Sequence, residues 1–353
     1  MLSKKVYIVH HTLTHGEYDW EKEVAEIKAT NPNEILCMCM EEFDYAYIFR
    51  NFFPKITPWL IQNNKILKVL VANPDNVKIN DHIITESTSG FYILFSELLR
   101  EELPTNIIPD KIFTFYNNNS KHERAVLLDE LAKRHLLQHG MVTFHFPNSV
   151  FTNQITGEKF VGWKYHDGSV LKDESNFVLN ESIKFVASSF PNSFFRGFFD
   201  LISESNIKEE EFFITEKTAK SVAALKPFIA LANPHYHTRF LVDEFGFELY
   251  DELFDYAFDT IIDTEKRIEA IADNVERIVQ LYDGCFRETI YETIKPKLIR
   301  NRERLIQYGL DKDKIVPRSL KFLLSDQPYK LYGNVNELDR YTLQYYKTMG
   351  WIQ

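Results

Sequence analysis

The stretch Phe198–Asp259, FFDLISESNIKEEEFFITEKTAKSVAALKPFIALANPHYHTRFLVDEFGFELYDELFDYAFD, decides the fold. Its opening apolar run predicts a strand over Phe198–Ser203 that ends in Ser203-Glu204-Ser205. An acidic spacer follows, and Ile214-Thr215-Glu216-Lys217 then opens a helix predicted over Thr215–Leu225. The small residues Ala219, Ala223 and Ala224 let that helix pack closely. Lys226-Pro227 ends it, since proline cannot continue a helix, and Phe228–Leu231 reads as the next strand. A strand, a helix and a strand in this order make a parallel pair with a crossover helix. The arrangement puts Lys217 at a helix N-terminus near strand C-termini, where open α/β sheets bind anions.

The same alternation extends upstream. Lys111–Tyr116 (KIFTFY) reads as a strand, and NNNSKHE as a polar turn in which Ser120 and Glu123 have capping-box spacing. A helix is predicted over Arg124–Leu137, with short strands around Phe160–Lys164 and Lys184–Ser188. In the first hundred residues, strands are predicted at Lys5–His10, Glu34–Met40, Lys65–Ala72 and His82–Thr85. Between them come helices at Tyr18–Ala29, at Asp44–Leu60 until Pro54 and Pro58 interrupt it, and at Phe91–Arg100. Downstream, a short helix is predicted at Arg239–Glu244 and a long, charged helical pattern from Asp263 to Tyr308. Strands separated by helices of about a dozen residues imply parallel sheets covered by helices. The chain is divided into residues 1–110, residues 111–330 and a C-terminal tail, 331–353, apolar enough to dock.

The length of 353 residues fits two domains at roughly 100–200 residues each. Lys and Arg number 41 against 51 Asp and Glu, a net charge of −10 without any polybasic run. That weighs against nucleic-acid binding driven by phosphate neutralisation without excluding a locally basic groove. No two of the 12 glycines are two apart, so neither G-x-G-x-x-G nor a phosphate loop is present. Three cysteines cannot form a disulfide framework and suggest a reducing compartment. The N-terminal apolar run is too short for a signal peptide, and no stretch approaches 18 apolar residues. The expected location is the cytoplasm, with no membrane span.

The quoted stretch resembles the donor-binding half of GT-B glycosyltransferases. The similarity is closest to α-1,3-fucosyltransferases and to viral and bacterial relatives of exostosin-type enzymes. Thr215-Glu216-Lys217, Lys226-Pro227-Phe228, Gly246-Phe247 and the acidic-aromatic run Tyr250–Asp259 carry it. The resemblance is fair over 112–310 and faint over 1–110. It implies two Rossmann-like domains facing across a cleft, and transfer of a sugar from a nucleotide-sugar to a hydroxyl acceptor such as a glycan. It also implies an inverting, metal-independent reaction with no further cofactor. Glu216 would hold the ribose hydroxyls, Lys217 the pyrophosphate, and Arg196 in NSFFRGFF the phosphates as well. Ser203, Glu204 and Thr215, around that motif, are also expected to contact the donor, as is Arg124, beside His122 at a helix start facing the cleft. The chemistry agrees: one carboxylate can accept both hydroxyls of a ribose diol. A cation aimed at a departing diphosphate meets charge as it develops. The bland alternative is a threonine cap followed by two exposed charges.

Inverting transfer also needs a base for the acceptor hydroxyl, usually Asp, Glu or His. By position after strands the candidates are His10, His11, His15 and Glu17, then Glu41, Glu42 and Asp44, then Glu86. Glu86 in Thr85-Glu86-Ser87 is the expected base, with His10, His11 and Glu42 as alternatives. Other constellations point elsewhere. His135 and His139 are four apart on the predicted helix but lack the H-E-x-x-H pattern. Cys37 and Cys39 read as small core hydrophobes. His235 and His237 are either donor contacts or ordinary loop polarity. Two rival functions remain: glycosylation of hydroxylated bases in phage-type DNA, which the net charge opposes, and a catalytically inactive nucleotide-sugar-binding relative.

Overall fold

The computed structural model describes residues 4–10, 18–39, 48, 50–71, 80–87, 103, 108–117, 121–144, 151–152, 159–160, 192–204, 207, 212, 214–311, 316, 318–324, 328–333, 335 and 347. The chain begins with β1 (Lys4–His10), α1 (Trp20–Thr30) and β2 (Glu34–Cys39). Asp19 starts α1 by accepting the Lys22 N–H at 3.0 Å, and Asn31, in the left-handed region, ends it. Trp20, Val24 and Ile27 point inward at helical spacing and meet Tyr7, Val9, Ile35 and Cys37 in one core. Next come α2 (Phe53–Gln62), β3 (Leu67–Val71) and β4 (Ile83–Ser87). Ile48, Arg50 and Asn51 are helical, a turn at Phe52 separates them from α2, and residues 44–47 and 49 of the expected helix lie outside the described residues. Pro54 lies in the first turn, where no intrahelical N–H bond is lost, and Pro58 is accommodated within the helix.

The second sheet starts with β5 (Lys111–Asn117), α3 (His122–Lys133) and β6 (Gly140–Phe144). Lys121 stands at the N-cap of α3, and Ser120 of the expected capping box lies outside the described residues. This helix ends before His135, whose φ of 58° turns the chain, so His135 and His139 do not share a helix face. A two-residue antiparallel pair, β7 (Phe151–Thr152) and β8 (Lys159–Phe160), follows. Then come β9 (Gly197–Ser203), α4 (Glu216–Ala223) and β10 (Phe228–Leu231). All residues of β9 and β10 are buried, as parallel strands covered on both faces must be. At Gly197 a Cβ would lie 2.7 Å from the Phe113 carbonyl carbon, so only glycine lets β9 approach β5 there.

Past β10 a π-helical turn (Tyr236–Leu241) runs into α5 (Val242–Phe245), where a short helix was expected three residues later. The long charged pattern is two helices, α6 (Thr264–Leu281) and α7 (Gly284–Leu310). Asp283 separates them by capping the Phe286 N–H at 2.7 Å. Isoleucines 268, 271 and 278 with Val275 form the buried stripe of α6, which packs against α3. The chain then returns to the first sheet as β11 (Tyr329–Gly333), parallel to β1.

The result is an α/β chain with two all-parallel sheets of Rossmann-like kind, ordered β11-β1-β2-β3-β4 and β10-β9-β5-β6. Two units follow: Met1–Ile93 with Tyr308–Gln353, and Leu94–Gln307. These bounds differ from the expected 1–110 and 111–330. Residues 308–330 side with the first unit because β11 hydrogen-bonds along β1. Among the described residues no helix is long and apolar enough to cross a membrane. The expected strand at Lys184–Ser188 and the expected helix at Phe91–Arg100 lie outside them.

Candidate functional site

Strand order alone locates a crevice in the second sheet. From β5 the chain passes through α3 to β6 on one side; from β9 it passes through α4 to β10 on the other. Two neighbouring parallel strands whose connections diverge leave a gap beyond their C-terminal ends, and ligands of open α/β sheets bind in such gaps. Here the gap lies between the ends of β5 and β9, at Asn117 and Ser203.

Arg124 spans it. Carried on the first turn of α3 and only 3% exposed, it sends Nη2 to within 3.5 Å of the carbonyl oxygens of Ser203 and Glu204. The far side of the gap is α4. Thr215 is its N-cap, accepting the Lys217 N–H at 3.3 Å and donating its own hydroxyl to Glu204 Oε2 at 2.5 Å. Lys217 Nζ lies 3.3 Å from Thr215 Oγ1 and 3.4 Å from Glu216 Oε1. Glu216 and Lys217 remain partly open, at 31% and 21% side-chain exposure. Burial pushes the Glu216 carboxyl up, but the Lys217 ammonium, its own backbone N–H and Lys220 outweigh this and hold it below the usual carboxylate range. The gap therefore presents an ionised carboxylate, the Lys217 ammonium and a helix N-terminus, with the Arg124 guanidinium buried against the end of β9.

Glu204 has a different part from the donor contact expected of it. It is 2% exposed, and its carboxylate also accepts Thr218 Oγ1 at 2.6 Å and the Tyr236 hydroxyl at 3.2 Å. It ties β9, α4 and the π-helical turn together, leaving little capacity for a ligand. Ser203 is buried and its hydroxyl has no hydrogen-bond partner.

Arg196 does not join this group. It ends the short helix Asn192–Arg196 just before β9 and forms a bidentate pair with Asp110, at 3.0 and 2.7 Å, just before β5. Both residues stand at the N-terminal ends of the strands. At about 3.3 Å per residue, the length of β9 puts Arg196 on the order of 20 Å from the gap.

Beneath the gap lies a second polar group that the sequence reading did not single out. Asp200, mid-strand in β9, holds Lys226 at 2.5 Å and Ser221 at 2.6 Å and also bonds Thr114. Lys226 further donates to the Phe194 carbonyl at 2.5 Å and lies over the Phe194 ring. An aspartate inside FFDLIS was the available signal, since a charge in a fully buried strand requires a partner.

The loop after β10 separates the two histidines. The His237 ring bonds the Ala230 backbone through Nε2, 2.9 Å from N and 3.3 Å from O, and so covers the open edge of β10. Burial pushes its pKa down, opposed in part by the Asp259 carboxylate. Asp259 also accepts the N–H groups of His237 and Thr238 at 3.1 and 2.8 Å, which fills the start of the π-helical turn from within the protein. His235 has no such role.

In the first sheet β1 lies between β2 and β11, and His10 is its last residue. Glu86 lies inside edge strand β4 and not in a loop beyond it, opposite Leu70 of β3. His11 and Glu42 are outside the described residues. Among the described residues no three His, Cys, Asp or Glu side chains are grouped to hold a metal ion. No family model, curated protein or solved structure matches the chain.

Proposed function

We propose that the chain is a nucleotide-sugar-dependent glycosyltransferase of GT-B arrangement, with the donor held by the second unit. The observation that supports this best is the meeting of Arg124, Glu216 and Lys217 at a single divergence point of a parallel sheet. In this reading Glu216 accepts the two ribose hydroxyls. Lys217, Arg124 and the N–H groups opening α4 face the diphosphate.

The acceptor hydroxyl attacks the anomeric carbon as the bond from that carbon to the diphosphate oxygen breaks. The bonding pair leaves with the nucleoside diphosphate, whose added charge the two cations offset without a metal. The acceptor proton passes to a base on the first unit. Glu86 is the first choice for that part, with His10, the last residue of β1, as an alternative. Glu86→Gln should lower kcat by about 10²–10⁴-fold and spare donor affinity.

Thermal-shift and calorimetric titration with the common nucleoside diphosphates tests the donor site, since a ligand of the folded state raises the melting temperature. Glu216→Ala should weaken binding by about 1.5–3 kcal/mol. Unchanged affinity in that variant would remove the donor assignment. Donor hydrolysis without acceptor separates an enzyme from an inactive binding relative.

A further inference from the structure

The Thr215 hydroxyl sits among three neighbours, and their chemistry fixes where its hydrogen lies. Two are donors only: the Lys217 N–H and the Lys217 ammonium, each 3.3 Å from Oγ1. A hydroxyl has one hydrogen and two lone pairs, so Lys217 takes both lone pairs. The hydrogen is left for the third neighbour, Glu204 Oε2, at 2.5 Å. Thr215 and Glu204 are both buried, and shelter from water strengthens the bond between them.

The surroundings of Glu204 suit an acceptor. Its other oxygen, Oε1, receives the Thr218 hydroxyl at 2.6 Å and the Tyr236 hydroxyl at 3.2 Å. Hydroxyls from the start of α4 and from the π-helical turn thus converge on one buried group. A glutamine of the same size could still tie β9 to those elements. Only an ionised carboxylate, which accepts and never donates, makes every one of these hydroxyls a donor. In a glutamine the oxygen would go where two hydroxyls donate, and the NH2 group would face Thr215. Thr215 would then have to accept it, giving up one of the lone pairs that Lys217 uses.

We infer that Glu204 is a positioning residue: it takes the Thr215 hydrogen and so keeps both lone pairs of that hydroxyl for Lys217, whose ammonium is thereby held at the start of α4 for a diphosphate. This rests on the donor-site reading and adds to it a buried group that never meets the ligand and acts on its affinity through Lys217.

The test is a double-mutant cycle between Glu204→Gln and Lys217→Met. Affinities for nucleoside diphosphates and for inorganic pyrophosphate are measured by calorimetry, with melting temperatures followed in parallel. Glu204→Gln is expected to weaken binding about tenfold, the low end for a lost hydrogen bond to a charged group, and to have no further effect once Lys217 is replaced. A residue that only knits the fold together would give the same loss in both backgrounds, and that result overturns the inference. Unchanged affinity in Glu204→Gln, with weak binding in Lys217→Met, also overturns it and leaves the donor site standing. Thr215→Val removes the hydroxyl and keeps the carboxylate. It must show the same dependence on Lys217, and it decides the matter if Glu204→Gln does not fold. If Lys217→Met binds as tightly as the wild-type chain, or if the wild-type chain binds none of the ligands, the donor site and the inference fail together.

Discussion

Single residues here do opposite work with the same chemistry. Lys217, in the first turn of α4, is partly open at the gap, whereas Lys226, just past its end, is sealed against Asp200. Removing one partner of a buried pair strands the other charge, so Lys226→Met should cost about 3–5 kcal/mol in urea unfolding. Replacing both, with Asp200→Asn added, should recover much of the loss. A double variant as unstable as the single one would show that the pair itself is not the source. His237 makes a pH-dependent contribution. Its folded pKa is pushed below the ordinary histidine value of about 6.5, so the unfolded chain binds the proton first. The stability it contributes is complete above that range and lost as pH falls through it, by up to about 1.4 kcal/mol per pH unit. His237→Gln should flatten that limb of the stability curve. An unchanged slope would assign it to other groups.

At the scale of elements, the most telling glycine closes the last strand. Gly333 has φ 76°, and a Cβ there would collide with the Ile8 carbonyl oxygen and crowd the Tyr7 ring. Gly333→Ala should therefore destabilise the first unit by about 2 kcal/mol, counting the left-handed penalty and the displacement of β1. Denaturant unfolding read from the first unit's tryptophans, at positions 20, 59 and 351, checks it. Much of the element pattern was legible in sequence: β10 matched residue for residue, and β9 and α4 to within two residues at either end. These segments are apolar runs bounded by proline or by a threonine cap, signals that depend on local chain chemistry alone. What escaped depended on distant partners. Glu204 looks like a free loop carboxylate until Thr215, Thr218 and Tyr236 are placed around it. Arg196 looks close to the site because it precedes β9, yet sequence adjacency put it at the wrong end of the strand.

For the molecule as a whole, β1 and β11 are aligned partners more than three hundred residues apart in the chain. The second unit lies entirely between them. During synthesis, the chain of the second unit is complete before β11 exists, while β1, already made, waits with one edge unpaired. Such long-range pairing is slow, because loop-closure entropy is lost before any contact compensates for it. Refolding from denaturant should thus be biphasic, with protection of β9 and β10 amides preceding that of β1 in pulsed hydrogen exchange. Simultaneous protection would mean that the two units fold as one. The interval in which β1 is exposed is when this protein is most open to aggregation or to capture by a chaperone. A strand made late thus governs the fate of the strand made first.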